Sequence, residues 1–197
     1  MVAALTGAFF DRPAGVVAPD LLGCTLLHDG VGGIIVEVER YEESDPASHS
    51  AAGPRGRAAV MFSEPGRLYV YRSYGIHWCL NVVCDGLGRG SALLVRALRP
   101  TQGLERMRER RGGRPDRELC SGPGRLAQAL GVDDRLNGSW AVPGDGAPAV
   151  SFLPASEPVE VARGPRIGIT RAVDRPWRYV IEGSTWLSKP MRTVNAA

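Results

Sequence analysis

The chain has 197 residues, 44% hydrophobic and 23% charged, which suits one ordinary globular domain spanning 1–197. No run of about 18 apolar residues occurs, which argues against a membrane span. The start lacks a basic segment followed by an apolar one, so no secretory signal is expected and a cytoplasmic location is inferred. The net charge of +3 does not identify a partner by itself. The kind of base is more telling, because of 24 Lys and Arg residues only Lys189 is a lysine. GC-rich codon usage accounts for most of that bias, but arginine also suits phosphate forks and base stacking.

In chain order, Pro19-Asp20 ahead of Leu21-Leu22 predicts a short helix within 18–27. TLLHDGVGGIIVEVERY reads as two strands around a turn at Asp29–Gly33. Glu42–Pro65 is polar and reads as a long surface loop broken by Val60-Met61-Phe62. Leu68–Arg72 and Ile76–Cys84 form a candidate hairpin with Ser73-Tyr74-Gly75 at its tip. Tyr69 and Tyr71 alternate with Val70 and share one face of the strand. SALLVRALRP is a buried strand with Arg96 expected on the face of Leu94 and Leu98. TQGLERMRERR is a charged helix stopped at Gly112-Gly113, and SGPGRLAQALG a short helix closed by Gly131. Residues 131–157 are loop-rich, and strands are expected around Val159–Val161, Ile167–Ile169 and Trp177–Ile181. Strands and helices do not alternate as βαβ units, which predicts an α+β fold with an antiparallel-rich sheet.

Among the residues that carry chemistry, Glu37, Glu39 and Tyr41 fall on one side of a strand and Val36 and Val38 on the other. A carboxylate on a rigid strand suits a general base, although exposed strand faces carry such residues routinely. Two same-face carboxylates also repel, which can raise one pKa. Arg96 inside an apolar strand requires a carboxylate, phosphate or ring to meet. His49 is a lone loop histidine. Cys24, Cys79, Cys84 and Cys120 form no C-x-x-C pair and the three histidines are scattered, so neither zinc nor an iron–sulfur cluster is expected. Gly86–Gly90 and SGPGR match no Walker or dinucleotide motif, though a helix entered through Gly-Pro-Gly can offer amides to a phosphate. A strand carboxylate, a tyrosine cage and an aromatic hairpin tip are together the parts of a base-flipping hydrolase.

EVERYEESDPASHS, VMFSEPGRLYVYRSYGIHWCLNVVC, LLVRALRP, SGPGRLAQALG and WRYVIEGS resemble, in order, the alkyladenine (3-methyladenine) DNA glycosylase family over nearly the whole chain. The resemblance implies one α+β domain with a curved, mainly antiparallel sheet, flanking helices and a protruding hairpin. It implies excision of alkylated and deaminated purines from double-stranded DNA without metal or cofactor. By position it makes Glu39 the base that activates water, and sets Tyr41, His49 and Tyr71 around the flipped purine. Asn81 disfavours guanine, Arg96 helps place nucleotide and water, and Tyr74 fills the gap left in the duplex. Arg72 and His77 beside the tip are expected DNA contacts, His77 standing where some members have tyrosine. Where members often carry Thr-Pro-Arg-Asn before Met-Phe, this chain has Arg55-Gly56-Arg57-Ala58, a difference bearing on lesion preference.

Strand-nicking glycosylases use an amine. The chain offers only Lys189 and its N-terminal amine, which predicts a monofunctional enzyme; a monomer is expected. Two other readings use the same residues. One is a module that recognises distorted DNA without chemistry. The other is a carbohydrate hydrolase using Glu37 and Glu39 across a bond.

Overall fold

A computed structural model describes residues 3–141 and 150–191 of the chain. Two helices come first, α1 (Gly7–Phe10) and α2 (Ala14–Leu21). The helix expected within 18–27 therefore starts earlier. Ala14, Val17, Ala18 and Leu21 are buried at helical spacing, and that stripe runs ahead of Pro19, which falls in the last turns instead of the first. Strands β1 (Thr25–His28) and β2 (Val31–Tyr41) follow. The turn between them is only Asp29-Gly30, both with positive φ, so Gly32 and Gly33 belong to the strand. A side chain at either would strike the backbone of a neighbouring strand: Leu26 O lies 1.8 Å from a Cβ on Gly32, and Arg99 O 2.1 Å from one on Gly33.

The polar stretch from Glu42 to Pro65 is more ordered than its composition predicts. It carries 3-10 turns at His49–Ala52 and Gly56–Phe62 and buries Ala58 and Met61. The hairpin is β3 (Leu68–Ser73) and β4 (His77–Cys84), in register from Leu68–Val82 to Ser73–His77. At its tip Tyr74 (φ 50°) and Gly75 (φ 69°) both turn left-handed, as in the primed turns that match strand twist. After β5 (Ser91–Gln102) come α3 (Leu104–Arg110), α4 (Asp116–Leu119) and α5 (Pro123–Leu130). The last strands are β6 (Ser151–Leu153), β7 (Val161–Gly164) and β8 (Arg178–Ile181). β6 lies in the stretch read as loop; its three residues are held by pairing with β1. The strand expected at Ile167–Ile169 does not form, because the Ile167 amide bonds a carboxylate instead of a ladder.

All strands pair antiparallel in one sheet ordered β3-β4-β5-β2-β1-β6, with β8 joining β2 beyond the end of β1 and β7 pairing β8. The fold is α+β with a curled antiparallel sheet. One face packs on the helices through residues such as Val38, Leu80, Leu93, Val17, Met107 and Leu126. The other face carries Glu37, Glu39, Tyr69, Tyr71, Asn81 and Arg96.

Two compensating bulges make that division possible. Ile35 pairs with Leu98 and Glu37 with Ala97, which leaves Val36 as an extra residue on β2. Glu37 pairs with Ala97 and Val38 with Val95, which leaves Arg96 as an extra residue on β5. The expected alternation therefore breaks. Val38 enters the main core, whereas Val36 joins Ala97, Val180 and Leu187 in a separate cluster. Likewise Leu98 goes to the core while Leu94 and Arg96 stay on the opposite face. Bulges re-aim side chains in this way beside functional sites.

Candidate active site

A cavity of about 930 Å³ opens on the polar face of the sheet, lined among others by Tyr41, His49, Tyr71, Asn81 and Arg96. The bulged strands hold its floor. Glu37 and Glu39 have no exposed surface, so this is not the solvated strand face that such a pattern usually means. Glu39 sits just beneath the floor, behind three residues that line the cavity and bond its carboxylate. Tyr41 OH donates to Oε2 at 2.9 Å, Arg96 Nη1 to Oε2 at 3.2 Å, and the Ile167 amide to Oε1 at 2.7 Å. Burial pushes the Glu39 carboxyl above the usual glutamate range; Arg96, the Ile167 amide and the Tyr41 hydroxyl oppose that shift, and Glu37 adds to it.

Glu37 is saturated differently. It accepts from Arg96 Nε at 3.0 Å, Arg178 Nε at 2.8 Å, the Ser188 amide at 2.6 Å and Ser188 Oγ at 2.8 Å. Two buried carboxylates thus face two buried guanidiniums, Arg96 and Arg178, which balances the charge. With these four donors Glu37 has no free face for a second catalytic role, and it does not line the cavity. That removes the reading in which Glu37 and Glu39 flank a sugar linkage.

Aromatic walls rise from the floor. Tyr69 and Tyr71 stack with centroids 5.3 Å apart, and His49 meets Tyr71 edge-on at 4.6 Å. His49 Nδ1 lies 2.8 Å from Tyr69 OH. Burial, with help from Arg57, lowers the His49 pKa below the usual histidine value and keeps the ring neutral at pH 7. Burial raises Tyr69 to about 12, and pushes Tyr41 and Tyr71 up as well, so all three hydroxyls stay protonated. Asn81 Nδ2 donates to Tyr69 O at 2.9 Å, which fixes the amide against β3.

The rim has another character. Tyr74 is 87% exposed and Ile76 66%. Arg72 leans on Trp78, with Cζ 5.4 Å from the ring, and His77 packs against Gly124 at the start of α5. Every sequence-predicted site residue therefore lies at this cavity: Tyr41, His49, Tyr71, Asn81 and Arg96 within it, Glu39 beneath it, and Tyr74, His77 and Arg72 at its mouth. Lys189 is exposed and does not line the cavity, while the N-terminal amine lies outside the described residues. Among the described residues, no three His, Cys, Asp or Glu side chains are grouped to hold a metal ion, and no helix is long and apolar enough to cross a membrane.

Residues 8–185 match the family model described as methylpurine-DNA glycosylase. The chain belongs to that family. It is therefore a DNA glycosylase, an enzyme that hydrolyses N-glycosidic bonds in base-excision repair, and the non-catalytic reading falls away. Curated relatives named "Putative 3-methyladenine DNA glycosylase" include one from Nitrobacter winogradskyi, 57% identical over 96% of this chain and 89% of its own length. One from Rhodopseudomonas palustris is 56% identical over 94% of this chain and 88% of its own length. One from Nitrosospira multiformis is 51% identical over 89% of both.

Several residues at or behind this cavity escaped sequence reasoning. Arg166 and Asp45 form a buried ion pair, and Arg178 and Ser188 hold Glu37 from the far end of the chain. Arg57, from the stretch that departs from the family pattern, lies with Cζ 5.5 Å from the Tyr71 ring. The Gly-Pro-Gly entry of α5, which matches no known phosphate motif, lines the cavity together with Ser121 and Arg125. The available signal for Arg166 was an arginine between Pro165 and Ile167 in a short apolar run, the same cue that singled out Arg96.

Proposed function

We propose that this enzyme flips alkylated and deaminated purines out of duplex DNA and releases them with a Glu39-activated water. The substrates are 3-methyladenine, 7-methylguanine, ethenoadenine and hypoxanthine. The observation that carries this reading is the buried Glu39 carboxylate under an aromatic cavity. A carboxylate offers about four acceptor sites, and Glu39 uses three of them. The remaining site on Oε1 takes one water from the cavity. Glu39 accepts a proton from that water while its oxygen bonds to C1′ of the sugar. The C1′–N bond breaks and its electron pair leaves with the purine. The negative charge in a dry site also favours the cationic character of the sugar in the transition state.

The flipped base lies between Tyr71 and the pair Tyr41 and His49. A neutral His49 adds no repulsion toward a methylated purine, which is often cationic, and aromatic faces attract such cations. Asn81, held by Tyr69 O, excludes guanine through its amino group. Tyr74 stacks in the gap left in the duplex, which offsets part of the cost of a few kcal/mol for unstacking. Arg57, Arg72, Arg111 and Arg125 along the cavity supply positive charge for the phosphates. No amine lines the cavity among the described residues, so the product is an intact abasic site.

The test is single-turnover base release from duplexes containing hypoxanthine or ethenoadenine and from methylated DNA. Wild type releases the base, and strand breaks appear only after alkali. Glu39→Gln keeps DNA binding and loses release by at least about a hundredfold. Near-normal release by that variant removes Glu39 from the role, and borohydride trapping of a protein–DNA adduct removes the monofunctional reading.

A further inference from the structure

The Ile167 amide reaches Glu39 from a segment that forms no strand, so something else must hold it in place. Arg166, the preceding residue, is 6% exposed, and Asp45 has no exposed surface. Their side chains pair through both guanidinium nitrogens: Nη2 donates to Asp45 Oδ1 at 3.0 Å and Nη1 bonds Oδ2. Arg166 Nη1 also donates to the Arg40 carbonyl at 2.9 Å, beside Glu39 in sequence. Its guanidinium lies between two rings, with Cζ 4.6 Å from the centroid of Tyr41 and 5.2 Å from that of Trp177. Asp45 has further duties on its own side. Oδ1 accepts from the Ala47 amide at 3.1 Å, and its carbonyl accepts from the Ser48 amide at 2.8 Å, which shapes the turn leading to His49.

One bidentate pair thus ties together the segment carrying Ile167, the ring of Tyr41 and the turn that presents His49. Nothing in the hydrolysis itself requires this charge pair, since neither residue lines the cavity. Burying two ions costs several kcal/mol each before their attraction is counted, so such a pair is poor evidence of stability for its own sake. Arg96 could balance Glu39 without it.

We propose that Asp45 and Arg166 are positioning residues: a buried latch that fixes the Ile167 amide on Glu39, and so keeps the base ionised and aimed at the water site. This rests on Glu39 being the base. A hydrogen bond donated to a carboxylate favours its charged form, so loosening the latch raises the pKa that governs activity. The other groups facing Glu39 stay unchanged in such a variant: Glu37 and Tyr41 on β2, Arg96 on β5, Tyr71 on β3 and Cys79 on β4.

The experiment follows single-turnover hypoxanthine release against pH for wild type, Arg166→Lys, Asp45→Asn, Ile167→Pro and Glu39→Gln. Arg166→Lys keeps the charge but loses the fork. Ile167→Pro deletes the amide donor and leaves the pair intact. The latch predicts that all three slow release at neutral pH by about tenfold or more, the scale at which small misplacements act. It also predicts that the acid limb of each moves to higher pH, with affinity for a duplex bearing an abasic analogue within about twofold of wild type. If Asp45→Asn does not fold, Arg166→Lys and Ile167→Pro decide. Folded variants with a lowered melting temperature but the wild-type rate and acid limb would overturn the proposal. So would a shifted limb in Arg166→Lys with none in Ile167→Pro. Active Glu39→Gln is a different failure, that of the base assignment itself.

Discussion

At and beneath the floor of the cavity Glu37, Glu39 and Arg96 are shut away from solvent and held by several partners each, while at the rim Tyr74 leaves 87% and Ile76 66% of their surface in water. The floor is built from bulged central strands and the rim from a hairpin turn. Folding has already met the cost of the floor: desolvated charges are paired, and under the proposed mechanism Glu39 needs no rearrangement to meet its water. The rim holds its interaction energy in reserve. Its exposed apolar area is a liability in the free protein and becomes favourable only when covered, in the proposed mechanism by stacked bases. A substitution at the floor should therefore change stability or chemistry, and one at the rim should change DNA binding alone.

The largest expected effect is at Glu37. Glu37→Gln leaves Arg178 buried without its charge partner and turns an amide group toward the Ser188 donors, so unfolding free energy should fall by about 3–5 kcal/mol. Denaturant titration measures this, and an unchanged midpoint would mean that the buried charges are not balanced as described. Tyr74→Ala comes next. It should weaken binding to a lesion-bearing duplex by about 1–3 kcal/mol, the worth of one aromatic stacked on bases, with no change in melting temperature. A lowered melting temperature would instead make Tyr74 part of the fold and erase the contrast between floor and rim.

The smallest effect is a displacement in pH. Glu39 is raised above the ordinary glutamate value, and the proposed mechanism needs its carboxylate, so activity is expected to be lost as pH falls through that raised value. The acid limb of single-turnover release should lie at higher pH than that of an unperturbed glutamate, and Tyr74→Ala should leave its position unaltered. A limb at the ordinary glutamate value would mean that the donors from Arg96, Ile167 and Tyr41 fully offset burial.

Much of this site is legible in the sequence because its members lie on regular elements or in long ordered motifs. Tyr69 and Tyr71 alternate with Val70, and the stacked rings follow from that period. Tyr74 is exposed because the pattern leaves nothing at the tip to bury it. Arg96 announces itself as a charge in an apolar run. Sequence reading fails where contacts are made across the fold by irregular backbone. Arg166 meets Asp45 across 121 residues, and Ser188 meets Glu37 across 151. No local period encodes either meeting. The bulges at Val36 and Arg96 are equally silent, because an extra residue in a strand looks like any other. Burial of Glu37 and Glu39 was missed for a related reason: a polar face reads as solvated unless its partners are known.

Those paired bulges also make the site a matter of parity. Beyond Val36 the assignment of inward and outward residues on β2 depends on one inserted position. With Val36 kept but drawn into a regular ladder, Val38 would turn toward the cavity and Glu37 and Glu39 toward the helices, with every residue type unchanged. Arg96 stands in the same relation to the part of β5 beside it. The two bulges count as one unit, and a sheet that straightens either one loses the agreement between charge and side.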